Sequence, residues 1–415
     1  MPRFGEDLRN VTLIAGSAVV GLAATAALFA SGSARVHEIR VAPVVEVRVD
    51  RAAPIVVEAP TVITAGAERL YGEVVTTSGA VLEGFLRWDR NEGSWADLLD
   101  ASKMDGRSTQ TGVRFGHIDR IEVLGSGHAA VVMRSGDVAE LAGHSTDLGS
   151  GMRRLVVESL DGASHELSWS DLDEVRFRSA PEDARTTEQR LHGRVTTRDG
   201  HEFVGFVTWD IDEIHGSDVL DGEVDGRDVA VPFGAIASIE RRGPSGAEVI
   251  LHDGETLHML GTNDVDSRNS GITVSDPGLG QVRVEWRDFD SVDFFPADDL
   301  PHRGTFEHTG RVEGTVVGSS GDSWRGAITW DLDEAFGWEI LNGDLDDAEF
   351  FVEFGQVRSI ERVESGSRVT LRDGRTFLLT DSQDVDRGNR GVRVEGEDGE
   401  RVVRWADFRE LRIDT

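Results

Sequence analysis

The sequence predicts an all-β protein made of three tandem copies of one unit, and three regularities carry that expectation. The stretch LYGEVVTTSGAVLEGFLRWD (70–89) returns as LHGRVTTRDGHEFVGFVTWD (191–210) and as VEGTVVGSSGDSWRGAITWD (312–331). The tryptophans near their ends, Trp88, Trp209 and Trp330, stand 121 residues apart each time, and self-similarity at a fixed period marks internal duplication. Twice in each copy, alternating apolar stretches meet at a glycine: Gly79 and Gly136, Gly200 and Gly254, Gly321 and Gly374. Glycine between such stretches signals a hairpin, because it supplies the positive φ the turn requires. Finally, 31 to 36 residues after each glycine comes an aromatic residue, followed three and six positions later by apolar ones. The six closings are Phe115-Ile118-Ile121, Trp169-Leu172-Val175, Phe233-Ile236-Ile239, Trp286-Phe289-Val292, Phe354-Val357-Ile360 and Trp405-Phe408-Leu411.

Taken in order, the chain opens with Val11 to Ala30, 20 residues without a charge. As a helix rising 1.5 Å per residue this run spans about 30 Å, the thickness of a bilayer core. Residues 1–34 are therefore expected to be a signal anchor, with a cleaved signal peptide ending at the small residues around Ser31 to Ala34 as the alternative. Residues 35–66 contain Pro43, Pro54 and Pro60, which disfavour a central strand and read as a linker. The three β repeats are placed at 67–180, 188–297 and 308–415. On either reading of the N-terminus they lie outside the cytoplasm, in a bacterial cell envelope.

Each copy divides by this pattern into two half-units, each a hairpin, a loop, further strands and a one-turn 3₁₀ segment entering a last strand. That succession resembles the small β-barrels of the SH3-like and Sm-like type. The resemblance implies that the short helical turn lets the final strand close the sheet over the aromatic. Sm-like barrels read RNA through particular loop residues, whereas the corresponding loops here are acidic, so that activity is not implied. Six units also match the arithmetic of a six-bladed β-propeller, which stands as the alternative architecture.

Composition bounds the function. The formal charge is −33, from 76 acidic and 43 basic residues, a field that repels phosphate backbones and argues against nucleic acid. There is no cysteine, which excludes disulfides, thiolate metal sites and cysteine nucleophiles. Lys103 is the only lysine. HExxH, GxSxG and Walker A patterns are missing, as is GxGxxG between a strand and a helix, and no histidine recurs at an equivalent place in all three copies.

The recurrent polar feature is the loop after the first hairpin. It reads WDRNEGSWADLLDA in copy one, with Asp89, Asn91, Glu92, Asp97 and Asp100. In copy two, WDIDEIHGSDVLDG places Asp210, Asp212, Glu213, Asp218 and Asp221; in copy three, WDLDEAFGWEILNG places Asp331, Asp333, Glu334, Glu339 and Asn342. Oxygen ligands at alternating positions suit calcium, although the spacing is not that of an EF-hand. Turn capping and solubility explain the same residues. The candidate calcium ligands are Asp210, Asp212, Glu213, Asp331, Asp333 and Glu334. A second acidic loop, NDVDSRNSG (263–271) and QDVDRGNRG (383–391), is reduced in copy one to Asp147 and its neighbours. Trp95, Trp324 and Trp338 fall outside the recurrent positions and are either packed under loops or surface platforms.

The leading functional expectation is a non-catalytic, membrane-tethered envelope scaffold with a protein or glycan partner and no required cofactor. A calcium-dependent adhesive or matrix protein and a carbohydrate-active envelope enzyme are the alternatives.

Overall fold

A computed structural model describes residues 55–57, 63–104, 110–143, 145–297, 299–306, 310–346, 348–397 and 399–414. The expected anchor and most of the linker lie outside them. Among the described residues no helix is long and apolar enough to cross a membrane, and every helix is a three-residue 3₁₀ turn. The protein is all-β.

After a short strand β1 (Ile55–Val56), the first segment contains β2 (Tyr71–Thr76), β3 (Val81–Arg87), β4 (Leu98–Lys103), β5 (Gln110–Arg114), β6 (Ile118–Gly125), β7 (His128–Met133), β8 (Val138–Ala142), β9 (Leu155–Glu158), β10 (Ser164–Leu167) and β11 (Leu172–Phe177). The second contains β12 (His192–Thr197), β13 (Glu202–Thr208), β14 (Val219–Val224), β15 (Arg227–Pro232), β16 (Ile236–Arg241), β17 (Gly246–Leu251), β18 (Thr256–Leu260), β19 (Ile272–Asp276), β20 (Gly280–Val284) and β21 (Phe289–Phe294). The third contains β22 (Glu313–Gly318), β23 (Ser323–Thr329), β24 (Ile340–Leu345), β25 (Ala348–Glu353), β26 (Val357–Arg362), β27 (Ser367–Leu371), β28 (Thr376–Leu379), β29 (Val392–Gly396), β30 (Gly399–Val403) and β31 (Phe408–Ile413).

In the second segment the sheet runs β15-β14-β18-β17-β16-β21-β12-β13-β19-β20. The first segment runs β5-β4-β8-β7-β6-β11-β2-β3-β9-β10, the same order strand for strand. The third keeps β28-β27-β26-β31-β22-β23-β29-β30, with β24 joined to β28 through one bridge, Asp344 to Thr380. The six hairpin glycines all adopt the left-handed φ expected of them, between 82° and 96°.

This order corrects the expected half-units. Strands β14 to β18 form a contiguous group of five. It is inserted between β13 and β19 of a second group, β21-β12-β13-β19-β20, and β16 pairs with β21 to join the two. The expected boundary, between β16 and β17, falls inside the inner group. The physical cause is the turn after β13. Asp210 and Ile211 both take positive φ, 48° and 67°, so the chain reverses at once and leaves the edge of β13. That edge is filled by β19, in register Val207 to Val274. The strands form three antiparallel sheets with edges rather than closed barrels, and they do not separate into six blades.

Glycine permits close strand approaches. A Cβ on Gly84, Gly205 or Gly326 would stand 2.2, 2.5 or 2.2 Å from the carbonyl oxygen of Glu158, Ser275 or Glu395, closer than real atoms approach. Burial follows the alternation of the strands: Trp88, Trp209 and Trp330 are fully buried, as are Phe115 and Phe233 to within 1%. Of the six closing aromatics, Trp405 is the exception, half-buried against the core. Five closings form 3₁₀ turns, whereas Trp286 heads a turn closed by the Phe289 N–H to the Glu285 carbonyl.

The segments are joined to one another. Strand β20 pairs with β25, Val282 opposite Phe350, which continues the second sheet into the third segment. Arg190 donates to Asp97 across the first two segments, with 0% and 3% of the side chains exposed. Arg114 contacts Glu353 at 3.0 Å with both side chains fully buried, and His117 bonds the same carboxylate.

Candidate functional site

The acidic loops form one construction in each segment. Trp88, Trp209 and Trp330 each pair with the glutamate four residues on, through N–H to carbonyl bonds of 2.7 to 3.0 Å in both directions. The intervening aspartate and its successor have φ of 41° and 69°, 48° and 67°, and 44° and 66°, the two positive values of a type I′ turn. Aspartate tolerates this region better than most residues. The turn holds Asp89, Asp210 and Asp331 inward, where one oxygen accepts the backbone N–H of Arg153, Ser270 and Arg390 respectively. The other oxygen accepts from Thr146, Asn263 or Gln383.

The second acidic loop meets the first beneath the tryptophan. The indole N–H groups of Trp88, Trp209 and Trp330 donate to the backbone carbonyls of Asp147, Asp264 and Asp384 at 2.9, 2.9 and 3.0 Å. The carboxylates of those three aspartates accept the N–H of Asp100, Asp221 and Asn342 at 2.7, 2.7 and 2.8 Å. Copy one keeps only Asp147 of this loop's acids, and Asp147 occupies the same position as Asp264 and Asp384. Asn269 and Asn389 turn inward and donate to the carbonyls of Asp264 and Asp384, which is Asx-type loop closure.

Two loops thereby bring an Asp, a Glu and a second Asp together: Asp89, Glu92 and Asp147; Asp210, Glu213 and Asp264; Asp331, Glu334 and Asp384. Of the residues expected to bind calcium, Asp210 and Glu213 belong to one such cluster and Asp331 and Glu334 to another. Asp212 stands beside them, half-exposed and 3.5 Å from Arg153, and Asp333 is tied to Arg390. In the sequence Asp264 and Asp384 lie on a separate loop. Sequence spacing could not join two loops more than 50 residues apart, although their recurrence in every copy was the available signal.

Burial and mutual repulsion act on these acids in the same direction. Burial, then the charges of Asp212 and Asp264, push Glu213 up to about 10. Asp264 rises to about 6 and Asp384 to about 7, both chiefly through burial. Burial also raises Glu92, Asp147 and Glu334, with neighbouring carboxylates adding to it.

The remaining tryptophans divide. Trp95 and Trp338 are buried. Trp324 is half-buried in a cleft of about 800 Å³ lined also by Glu395, Glu400, Arg325 and Arg401, with the Arg401 guanidinium 4.9 Å from its ring. No protein-family model, curated protein or solved structure matches the chain.

Proposed function

We propose that this protein is a non-catalytic scaffold of the bacterial cell envelope, tethered to the membrane by residues 1–34 and built by threefold duplication of a unit with SH3-like ancestry. The observation that supports the reading is the strand order common to the first two segments and kept over eight strands in the third, which β20 and β25 join to the second. Duplication multiplies a surface, and the recurrent acids hold turns and loops together in all three segments. The uncharged run from Val11 to Ala30 supports the tether.

Membrane fractionation with protease accessibility tests this reading. The full chain is expected in the membrane fraction, with its β segments digested from the outer side only, and deletion of residues 1–34 is expected to retain it in the cytoplasm. A soluble cytoplasmic full-length chain would contradict the tether. Hydrolysis of an envelope polymer, abolished by one carboxylate substitution, would contradict the scaffold.

A second reading concerns the partner. The cleft at Trp324 combines an aromatic face with carboxylate and guanidinium groups, the chemistry that binds a polysaccharide through stacking and hydrogen bonds. Trp324→Ala is expected to abolish retention on envelope glycan while leaving the melting temperature unchanged.

A further inference from the structure

The third acidic cluster differs from the others in geometry. Among the described residues, Asp331, Glu334 and Asp384 are the group in which one carboxylate oxygen from each lies within 4.8 Å of the other two. All three are buried, at 1%, 6% and 8% exposure. A cluster of acids alone would be a set of loop fasteners. Here Glu334 is also more than nine-tenths buried and its Oε2 has no hydrogen-bond partner; Glu92 Oε2 and Glu213 Oε2 are orphaned likewise, so it is the closeness of the three carboxylates that sets this cluster apart. Its Oε1 stands 4.0 Å from Lys103 Nζ, and that ammonium is engaged by Glu339 at 2.5 Å.

A buried acceptor without a donor is costly, and the local charges do not supply one. Among the described residues, the ion pairs of Asp331, Asp333, Glu334 and Glu339 are with Arg390 and Lys103, and Asp384 has none. Arg390 is bound to Asp331 at 2.7 Å and also to Asp333. Five carboxylates therefore share two cations beneath Trp330, walled by the two loops.

We infer that this pocket in the third segment is a binding site for a calcium-sized divalent cation, ligated by carboxylate oxygens of Asp331, Glu334 and Asp384. Calcium holds oxygen ligands at about 2.3–2.6 Å, so oxygens on opposite sides of the ion stand roughly 4.6–5.2 Å apart. Three oxygens that all lie within 4.8 Å of one another can therefore share one such ion. Magnesium demands near-ideal octahedral geometry, dehydrates reluctantly and is usually held through one or two carboxylates and its own waters, so a pocket of three protein carboxylates favours calcium. Asp333 and Arg390 are left as positioning residues, since the guanidinium fixes Asp331.

Terbium is the probe, because it occupies calcium sites and emits when a nearby tryptophan is excited. Trp330, whose indole donates to the Asp384 carbonyl at 3.0 Å, is the antenna. The full chain, stripped with EDTA, is titrated with terbium and then with calcium or magnesium. Saturable emission that calcium displaces and magnesium does not is expected. Glu334→Gln preserves the side-chain shape and is expected to weaken calcium competition by about tenfold or more, the scale on which even outer-shell changes act. The same variant is expected to melt in EDTA at or above the parent temperature, since it removes a buried charge. Absence of saturable emission would overturn the inference, and so would emission equally strong in a folded Glu334→Gln. A parent melting temperature unmoved by calcium would show that the oxygen is met by a proton instead, and would overturn it too.

Discussion

Asp97→Ala is expected to be among the most damaging single substitutions in the first segment. The Asp97 carboxylate receives Arg190 from the second segment, with Nη2 to Oδ1 at 2.7 Å and Nε to Oδ2 at 3.3 Å. Its Oδ2 also accepts the N–H groups of Gly93 and Ser94 at 2.8 Å each, and its Oδ1 accepts the Ser275 hydroxyl at 3.1 Å. Removal leaves a guanidinium with no exposed side-chain surface and without the carboxylate bonded to it. Breaking a buried pair in this way costs about 3–5 kcal/mol, and the two orphaned amides act in the same direction. Set against a typical domain stability of about 5–15 kcal/mol, the loss is a large fraction. Arg190 would still donate to the carbonyls of Val207 and Ile214 at 2.8 and 3.0 Å, so the segment retains a local anchor. Urea unfolding of the full chain, followed by tryptophan fluorescence, gives the change directly. Arg190→Met added to Asp97→Ala is expected to recover part of the loss by removing the stranded charge. A variant within about 1 kcal/mol of the parent, or a double variant worse than the single one, would refute the reasoning.

Other consequences follow from the same structure. Glu213, pushed up to about 10, and Asp264, at about 6, hold protons in the folded chain that the unfolded chain has released. Their contribution is fully present below the unfolded values near 4 and is lost as pH rises, at up to roughly 1.4 kcal/mol per pH unit for each proton. The stability advantage of Glu213→Gln over the parent is therefore expected to grow between pH 5 and pH 8 by chemical unfolding; a constant difference would contradict it. Trp209→Phe removes the indole donor to the Asp264 carbonyl and is expected to cost about 1–3 kcal/mol, read by the same unfolding curves. Gly205→Ala drives a methyl group to 2.5 Å from the Ser275 carbonyl oxygen and is expected to cost about 1–3 kcal/mol by separating β13 from β19; an unchanged melting point would show that the strands are not held so closely.

Much of the local structure was legible because it depends on local chemistry. Gly79, Gly136, Gly200, Gly254, Gly321 and Gly374 announce positive-φ hairpin turns, and Phe115, Trp169, Phe233, Phe354 and Trp405 announce the 3₁₀ turns that precede a closing strand. Strand partners were not legible. The two halves of a copy carry the same alternation, so β14 reads as well beside β13 as beside β18, and only the Trp-Asp turn after β13 decides against the first. The in-strand glycines Gly84, Gly205 and Gly326 marked close backbone approach, but not to which strand. The acidic cluster was half legible: Asp331 and Glu334 lie on one loop, whereas Asp384 reaches them through a tertiary contact under Trp330. Lys103, the one lysine, gave no sign that it serves the third segment from the first.

The nesting of one five-stranded group inside another is the central claim about this molecule, and a disulfide tests it. Glu223 on β14 and Leu260 on β18 are register partners belonging to different sequence halves. The chain has no cysteine of its own, so Glu223→Cys with Leu260→Cys can form only one intramolecular bond. Oxidation of the folded double variant is expected to give one intramolecular cross-link, detected as a single linked peptide after proteolysis. Two free thiols in the folded, oxidised protein would mean that β14 pairs elsewhere and would contradict the account.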